Sequence, residues 1–401
     1  MTRMLGHMGF VAVAAGAFAW AAVAPAADPR IAAIDAALAD MVARQEVAGA
    51  AAAVVRHDGI VHLGGVGDAD VATRRPMTPD TLCWIASMTK PVTGIAILML
   101  QDKGLLHVDD PVARHIPEFA ILRTPAGHPA GLTIKQLLNH TSGLGEAAGP
   151  WAKEAKTLAE LVPVWLAAPM RYEPGDRWMY TQSGINIAGR IVEVVGGTSL
   201  DAFLQENLFG PLGMNNTTFY PDARQRQELA TGYEKKKDTG VLEPAAPRAD
   251  YGDRTRPPLG NGGLFSTARD YARLCRMLLR RGELDGRRYL SEDAVKTLAT
   301  VNTGDLSTGF FQSRAFGSRG SNYGWGVGVC ILRQPHEGVA AMLSPGSFGH
   351  GGAWGTQAWI DPVKDVAYVL MVQRSNFPNS DASDVRRVFQ QAAATAIGAP
   401  R

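Results

Sequence analysis

The sequence predicts an α/β protein of the α+β type: a mostly antiparallel sheet flanked by the terminal helices, with an all-helical domain inserted between its two halves. Three observations carry this. Short apolar strands cluster at both ends of the chain. They are joined by tight turns such as His57-Asp58-Gly59 and Asp361-Pro362-Val363-Lys364, and strands joined by hairpins run antiparallel. The middle of the chain carries helical spacing instead. With 401 residues the chain suits one large or two intermingled domains. Residues 28–86 and 257–401 are assigned to the sheet domain and 87–256 to the helical domain.

Taken in order, Ile31, Ile34, Leu38 and Val42 recur at helical spacing and give a helix from Pro29 to Gln45. Ala50 to Val55 and Ile60 to Gly67 form the first hairpin. Trp84 to Leu100 opens as a short apolar run and becomes a helix, apolar nearly all round, that ends near Gly104. Asp109-Asp110 starts a short helix and is not a carboxylate pair. Thr133 caps another that ends near Asn139. Asn139 to Gly145 is a polar, Gly-rich loop, and residues 150–170 are loosely packed helices. The turn Glu173-Pro174-Gly175-Asp176 aims Trp178-Met179-Tyr180 inward. A helix from Ser183 to Val195 stops at Gly196-Gly197, a shorter one runs from Leu200 to Leu208, and 234–258 is a polar connection. After the tight turns of Gly260-Asn261-Gly262-Gly263 come helices Thr267 to Arg281 and Ser291 to Thr300. Strands then follow at Tyr323 to Leu332, Gly338 to Leu343, Gly355 to Ile360 and Asp365 to Gln373, and a last helix runs from Ser383 to Ile397.

Hydrophobic content of 46% and charged content of 19% are those of a globular, enzyme-sized chain. A net charge of +2 gives no footprint for nucleic acid or an anionic membrane, and Lys235-Lys236-Lys237 reads as a solvated loop. Residues 1–27 read as a signal peptide: Arg3, an apolar run from Phe10 to Val23 too short to span a membrane, then Ala24-Pro25-Ala26 for the peptidase. The expected location is periplasmic or secreted, without stable membrane insertion after cleavage; an uncleaved anchor is the other option. Cys83, Cys275 and Cys330 are sparse for an exported chain and are expected as buried structural thiols.

The chemistry gathers at the start of the apolar helix. Pro91 suits a first turn, so Ser87 lies at the helix N-terminus and Lys90 sits one turn on, on the same face. A hydroxyl and an amine buried together are costly unless partnered or used. No other Ser has a Lys three residues later, and no Gly-x-Ser-x-Gly stretch offers a different nucleophile. A serine hydroxyl needs a base, and free Lys and Tyr give up a proton only at about pH 10. Burial and the positive helix end disfavour a charged Lys90, whereas an ammonium nearby favours Tyr180 as phenolate. One proton is then shared among Ser87, Lys90 and Tyr180, and the residues alone do not name the base.

These residues fall into an ordered set. Ser87-Met88-Thr89-Lys90, then Tyr180-Thr181-Gln182, then His350-Gly351-Gly352 resemble the three motifs of the serine β-lactamase-like superfamily. That group holds penicillin-binding DD-peptidases, class C β-lactamases, D-aminopeptidases and family VIII carboxylesterases. The resemblance covers most of the chain after the leader. Gln182 departs from the usual Asn or Ser of the second motif. The third motif is Lys-Thr-Gly in β-lactamases and often His or Trp before Gly-Gly in the esterases. Leu138 to Leu144 resembles a further segment of the group, read as structural. The resemblance implies a β-lactamase/transpeptidase-like fold, Ser87 as nucleophile, and Tyr180 as the favoured base with Lys90 beside it. It also implies an oxyanion hole from the N–H groups of Ala353 and Ser87, and substrate contacts from Gln182, His350, Gly351, Gly352 and Ala353.

The expected function is therefore a serine hydrolase that forms an acyl-enzyme: a carboxylesterase for short-chain esters, with weak β-lactam hydrolysis beside it. His350 replaces a permanent cation with a side chain mostly neutral at pH 7, which favours neutral esters over carboxylate-bearing substrates. The enzyme alternatives are a D-amino-acid peptidase, a DD-peptidase and a class C-like β-lactamase; the alternative of another class is an inactive protein that binds cell-wall peptides. No cofactor or metal is expected, since His57, His62, His107, His115, His128, His140 and His336 lack metal-ligand spacing. The expected partner is a small ester or amide substrate and not nucleic acid. The oligomeric state is left open. Trp151 and Trp354 read as acyl-pocket walls or as core.

Overall fold

The computed structural model describes residues 29–146, 154–246, 252–308, 322–377 and 383–398; the expected leader and Trp151 lie outside these residues. Helix α1 (Pro29–Ala43) leads to strands β1 (Gly49–Val55), β2 (Ile60–Asp70) and the two-residue β3 (Arg75–Pro76). The helices that follow and matter for the site are α2 (Thr89–Asp102), α3 (Ile134–Leu138), α4 (Ser183–Gly196), α5 (Ala268–Leu279) and α6 (Glu292–Leu298). The chain then returns to strands β4 (Tyr323–Trp325), β5 (Cys330–Leu332), β6 (Phe348–Gly351), β7 (Gln357–Asp361) and β8 (Val366–Met371), and closes with α7 (Asp384–Gly398).

Among the described residues these strands form one sheet of eight, in the order β4-β5-β6-β7-β8-β1-β2-β3, with every pairing antiparallel. Its middle is buried on both faces because side chains alternate along a strand. In β1, Ala51, Ala53 and Val55 join the core shared with α2 and α5, whereas Ala50, Ala52 and Val54 join the core shared with α1 and α7. Four successive alanines are poor strand formers, but they let helices approach the sheet closely from either side. The larger residues of the antiparallel neighbour fill the space, as in Ala51 opposite Met371 and Ala53 opposite Val369.

Helix α2 is the centre of the molecule: Thr89 to Leu100 are all buried. It packs against α4 and α6 and passes so close to the loop after β4 that a Cβ at Gly94 would lie 2.4 Å from the Val327 carbonyl oxygen. Side chains fix the ends of the surrounding helices. Thr133 and Gln136 form a reciprocal capping box on α3, and Thr267 and Ser291 cap α5 and α6. Gly197, in the left-handed conformation, stops α4. Cys83, Cys275 and Cys330 are buried as thiols; burial pushes Cys83 up to about 12 and Cys275 upward too.

The structure differs from the sequence expectation in four places. Tyr323 to Leu332 is a hairpin and not one strand, because Gly328 adopts φ +74° and the Gly326 N–H closes the turn on the Val329 carbonyl at 3.0 Å. Gly338 to Met342 is a 3₁₀ turn and not a strand; so short an apolar run does not distinguish the two from periodicity. The strand expected from Gly355 begins at Gln357, because residues 352–356 form a turn with Gly355 at φ +88°. The polar connection after residue 233 carries strands of its own: Tyr233–Lys235 pairs with Leu242–Pro244 and, in parallel, with Arg374–Ser375.

Candidate active site

Ser87 lies in a 3₁₀ turn, Ala86–Met88, that runs directly into α2. Ala86 has φ +46°, a left-handed conformation that a residue with a Cβ adopts only under constraint. The constraints are visible. Thr89 Oγ1 donates to the Ala86 carbonyl at 2.7 Å and accepts the Leu264 N–H at 3.1 Å, and the Tyr271 hydroxyl donates to the Met88 carbonyl at 3.0 Å. The serine is thus held at the helix entrance, partly exposed, on a turn that cannot relax without breaking these bonds.

Lys90 is 0% exposed, and its Nζ donates to three acceptors: Ser87 Oγ at 3.1 Å, Gln182 Oε1 at 2.9 Å and the Asn261 carbonyl at 2.8 Å. Burial pulls its pKa down to about 7, with the Glu146 carboxylate opposing. Gln182 Oε1 also accepts from Asn261 Nδ2 at 2.8 Å, and the Asn261 N–H donates to Asn186 Oδ1 on α4 at 3.0 Å. Gln182 thereby holds the lysine through its amide oxygen. Glu146 accepts from the Gln182 N–H, from the Ser183 N–H at 3.1 Å and from Ser183 Oγ at 2.9 Å. It caps α4 with a negative charge at the end where charge of that sign is favoured.

Tyr180 stands just before α4. The Lys90 Nζ lies 4.7 Å from the centre of its ring, and its hydroxyl meets His350 Nε2 at 3.4 Å. His350 Nδ1 is 2.6 Å from the Gly351 carbonyl oxygen. A carbonyl cannot donate, so Nδ1 carries the proton, Nε2 is the acceptor, and the phenol is the donor in this contact. Burial, with the Lys90 charge adding to it, pushes His350 down to about 3, so the ring is neutral near pH 7.

Gly352 follows the end of β6 and abuts the Ser87 turn. A Cβ there would lie 2.1 Å from Thr356 Oγ1 and 2.6 Å from the Ile85 carbonyl oxygen. Only glycine brings this strand end against the Ser87 turn; Ala353, next in the chain, is exposed. Gly352→Ala is expected to lower ester turnover by about 100-fold and stability by about 1–3 kcal/mol, checked by kcat/KM together with a urea melt.

The contacts therefore link Ser87, Lys90, Tyr180, Gln182, His350, Gly351 and Gly352, with Ala353 adjoining. Trp354 packs edge-on against Trp84, ring centres 5.5 Å apart, and fills the space over Gly232, which makes it core. Glu146 and Asn261 escape sequence reading. Asn261 sits in a glycine-rich turn that advertises only backbone geometry, and Glu146 lies in a loop without a pattern.

The fold and this cluster define a class. The sequence model of the Beta-lactamase family matches residues 34–393, and the chain belongs to that family. It is a serine β-lactamase-fold hydrolase by family, with esterases and DD-carboxypeptidases among its relatives. Esterase EstB of Burkholderia gladioli is 28% identical over 372 residues, 84% of this chain and 89% of that protein. A protein named putative D-alanyl-D-alanine carboxypeptidase from Escherichia coli K12 is 28% identical over 348 residues, 80% of this chain and 75% of that protein. The solved structure of EstCE1, a hydrolase with promiscuous acyltransferase activity, superposes with a TM-score of 0.76 at 22% identity, covering 92% of this chain and 99% of that one.

Proposed function

We propose that the protein is a carboxylesterase that cleaves short-chain, uncharged esters through an acyl-Ser87 intermediate. The observation that carries the proposal is the neutral, buried His350 at the third motif. A substrate carboxylate meets no permanent cation at that position, so an uncharged ester is not at a disadvantage there.

The proton path follows from the donors and acceptors around Lys90. Gln182 Oε1 and the Asn261 carbonyl can only accept; Ser87 Oγ alone among the three carries a proton to return. In this reading Lys90, and not the Tyr180 that the family resemblance favours, takes the serine proton: a neutral Lys90 keeps its two N–H bonds on the first pair and turns its lone pair to the Ser87 hydroxyl. As the Ser87 oxygen bonds to the ester carbonyl carbon, its proton passes to Lys90, and the carbonyl π pair moves onto oxygen, received by the N–H groups of Ser87 and Ala353. Collapse breaks the carbon–alkoxide bond, and the alcohol leaves with a proton from the Lys90–Tyr180 pair. Water then repeats the sequence on the acyl-enzyme and releases the acid.

The discriminating experiment compares p-nitrophenyl butyrate with nitrocefin on one preparation. The expected result is a kcat/KM about 100-fold or more in favour of the ester; dominant nitrocefin hydrolysis overturns the proposal. The relative named as a carboxypeptidase supports one second reading, cleavage of a D-amino-acid amide bond. It becomes the better reading if D-alanyl-D-alanine peptides turn over faster than the ester.

A further inference from the structure

Tyr180 belongs to no regular element; it lies in the irregular segment between the turn at residues 173–176 and α4, so something other than a helix or strand must fix its phenol. The neighbour bonded on both sides of it is His140, two residues past the end of α3. The His140 carbonyl accepts the Met179 N–H at 3.0 Å, and its Nδ1 accepts the Thr181 N–H at 3.3 Å. Both residues flanking Tyr180 are therefore tied to one histidine. The imidazole also packs on the Tyr180 ring, centres 4.7 Å apart, and stands edge-on to Trp325 at 4.6 Å. His140 itself is 0% exposed and holds φ +65°.

That conformation is informative. A left-handed residue just past a helix end is a position that Gly or Asn fills at lower cost, so stopping α3 does not call for an imidazole. Because Nδ1 accepts, the ring proton resides on Nε2, and burial next to Lys90 and His350 keeps the ring uncharged, which preserves the acceptor.

We propose that His140 is a positioning residue for Tyr180, holding the phenol at the Lys90–His350 junction through the two flanking backbone bonds and the ring contact. This rests on the reading that Tyr180 takes part in acyl transfer, and the experiment separates the two. His140→Gly keeps the backbone conformation but removes ring and acceptor. His140→Asn also tolerates that conformation and places Oδ1 where Nδ1 was. Each is made in the wild-type and Tyr180→Phe backgrounds and assayed with p-nitrophenyl acetate after a thermal melt establishes folding.

The expected result for His140→Gly is a fall in kcat of about 30-fold with KM changed less than about 3-fold, most of it recovered by His140→Asn. In the Tyr180→Phe background, which alone costs at least about 100-fold, either His140 substitution should add less than about 2-fold, since a residue that acts only through Tyr180 has nothing left to position. Additive losses overturn the proposal, as does His140→Asn falling as far as His140→Gly. If His140→Gly does not fold, His140→Ala takes its place in both backgrounds: a loss additive with that of Tyr180→Phe rejects the proposal, and a loss that vanishes in the Tyr180→Phe background supports it. A near-wild-type Tyr180→Phe enzyme rejects the role of Tyr180 itself, and the inference with it.

Discussion

Ser87→Ala is expected to abolish hydrolysis of p-nitrophenyl acetate and butyrate, a loss of about 10⁴-fold or more, while leaving the melting temperature almost unchanged. The size of the effect follows from what remains. The oxyanion donors of the proposed mechanism are untouched by the change, but no other hydroxyl occupies the entrance of α2 within 3.1 Å of the Lys90 amine among the described residues. The fold should not suffer, because the strained turn is held by Thr89, Leu264 and Tyr271 and not by the serine hydroxyl. Intact mass after mixing with substrate gives the complementary result: an acyl adduct on the wild-type protein and none on the variant. Unchanged turnover would remove the nucleophile.

Lys90→Met is expected to cost about 10³-fold or more in kcat/KM, because it removes the group that receives the serine proton and replaces it with an apolar side chain of similar length. The buried site accepts the exchange in volume. It leaves Gln182 Oε1 with its bond from Asn261 Nδ2, while the Asn261 carbonyl loses a donor. The wild-type pH profile carries the same assignment. Lys90 must be neutral to accept a proton, and burial brings its pKa to about 7. Activity should therefore rise through about pH 7 as the ammonium loses its proton and stay high above it. A profile flat between pH 6 and 8 would argue that Lys90 is neutral throughout, or that another group takes the proton. His350 does not supply this limb, because its ring is already neutral well below that range.

The sheet, its flanking helices and the entrance of α2 are legible in the sequence because each rests on a local signal: alternation or an apolar run for strands, a cap for helices, Pro91 and Ser87 for the start of α2. What is not legible depends on contacts between segments distant in the chain. Tyr323 to Leu332 looks continuous because its apolar residues carry on through a turn made by Gly326 and Gly328. Gln182 reads as a substrate-facing amide, yet its oxygen is engaged by Lys90 and by Asn261, 79 positions away. Glu146 shows its use only once the start of α4 is brought to it. The segment from Leu138 to Leu144 reads as scaffold, and the feature that distinguishes it, a left-handed histidine bonded on both sides of Tyr180, has no signature in composition or spacing.

The three cysteines have a practical consequence. All lie at 1% exposure or less, with Cys83 four positions before Ser87 and the others in α5 and β5. An alkylating reagent reaches them only when the chain opens, so their rate of modification is an intrinsic clock for unfolding of the sheet and of the segment leading into the Ser87 turn. Because the thiol beside the Ser87 turn is shielded, brief treatment of the native protein with such a reagent should spare its activity, which would distinguish a serine-based machine from a thiol-based one without any mutation.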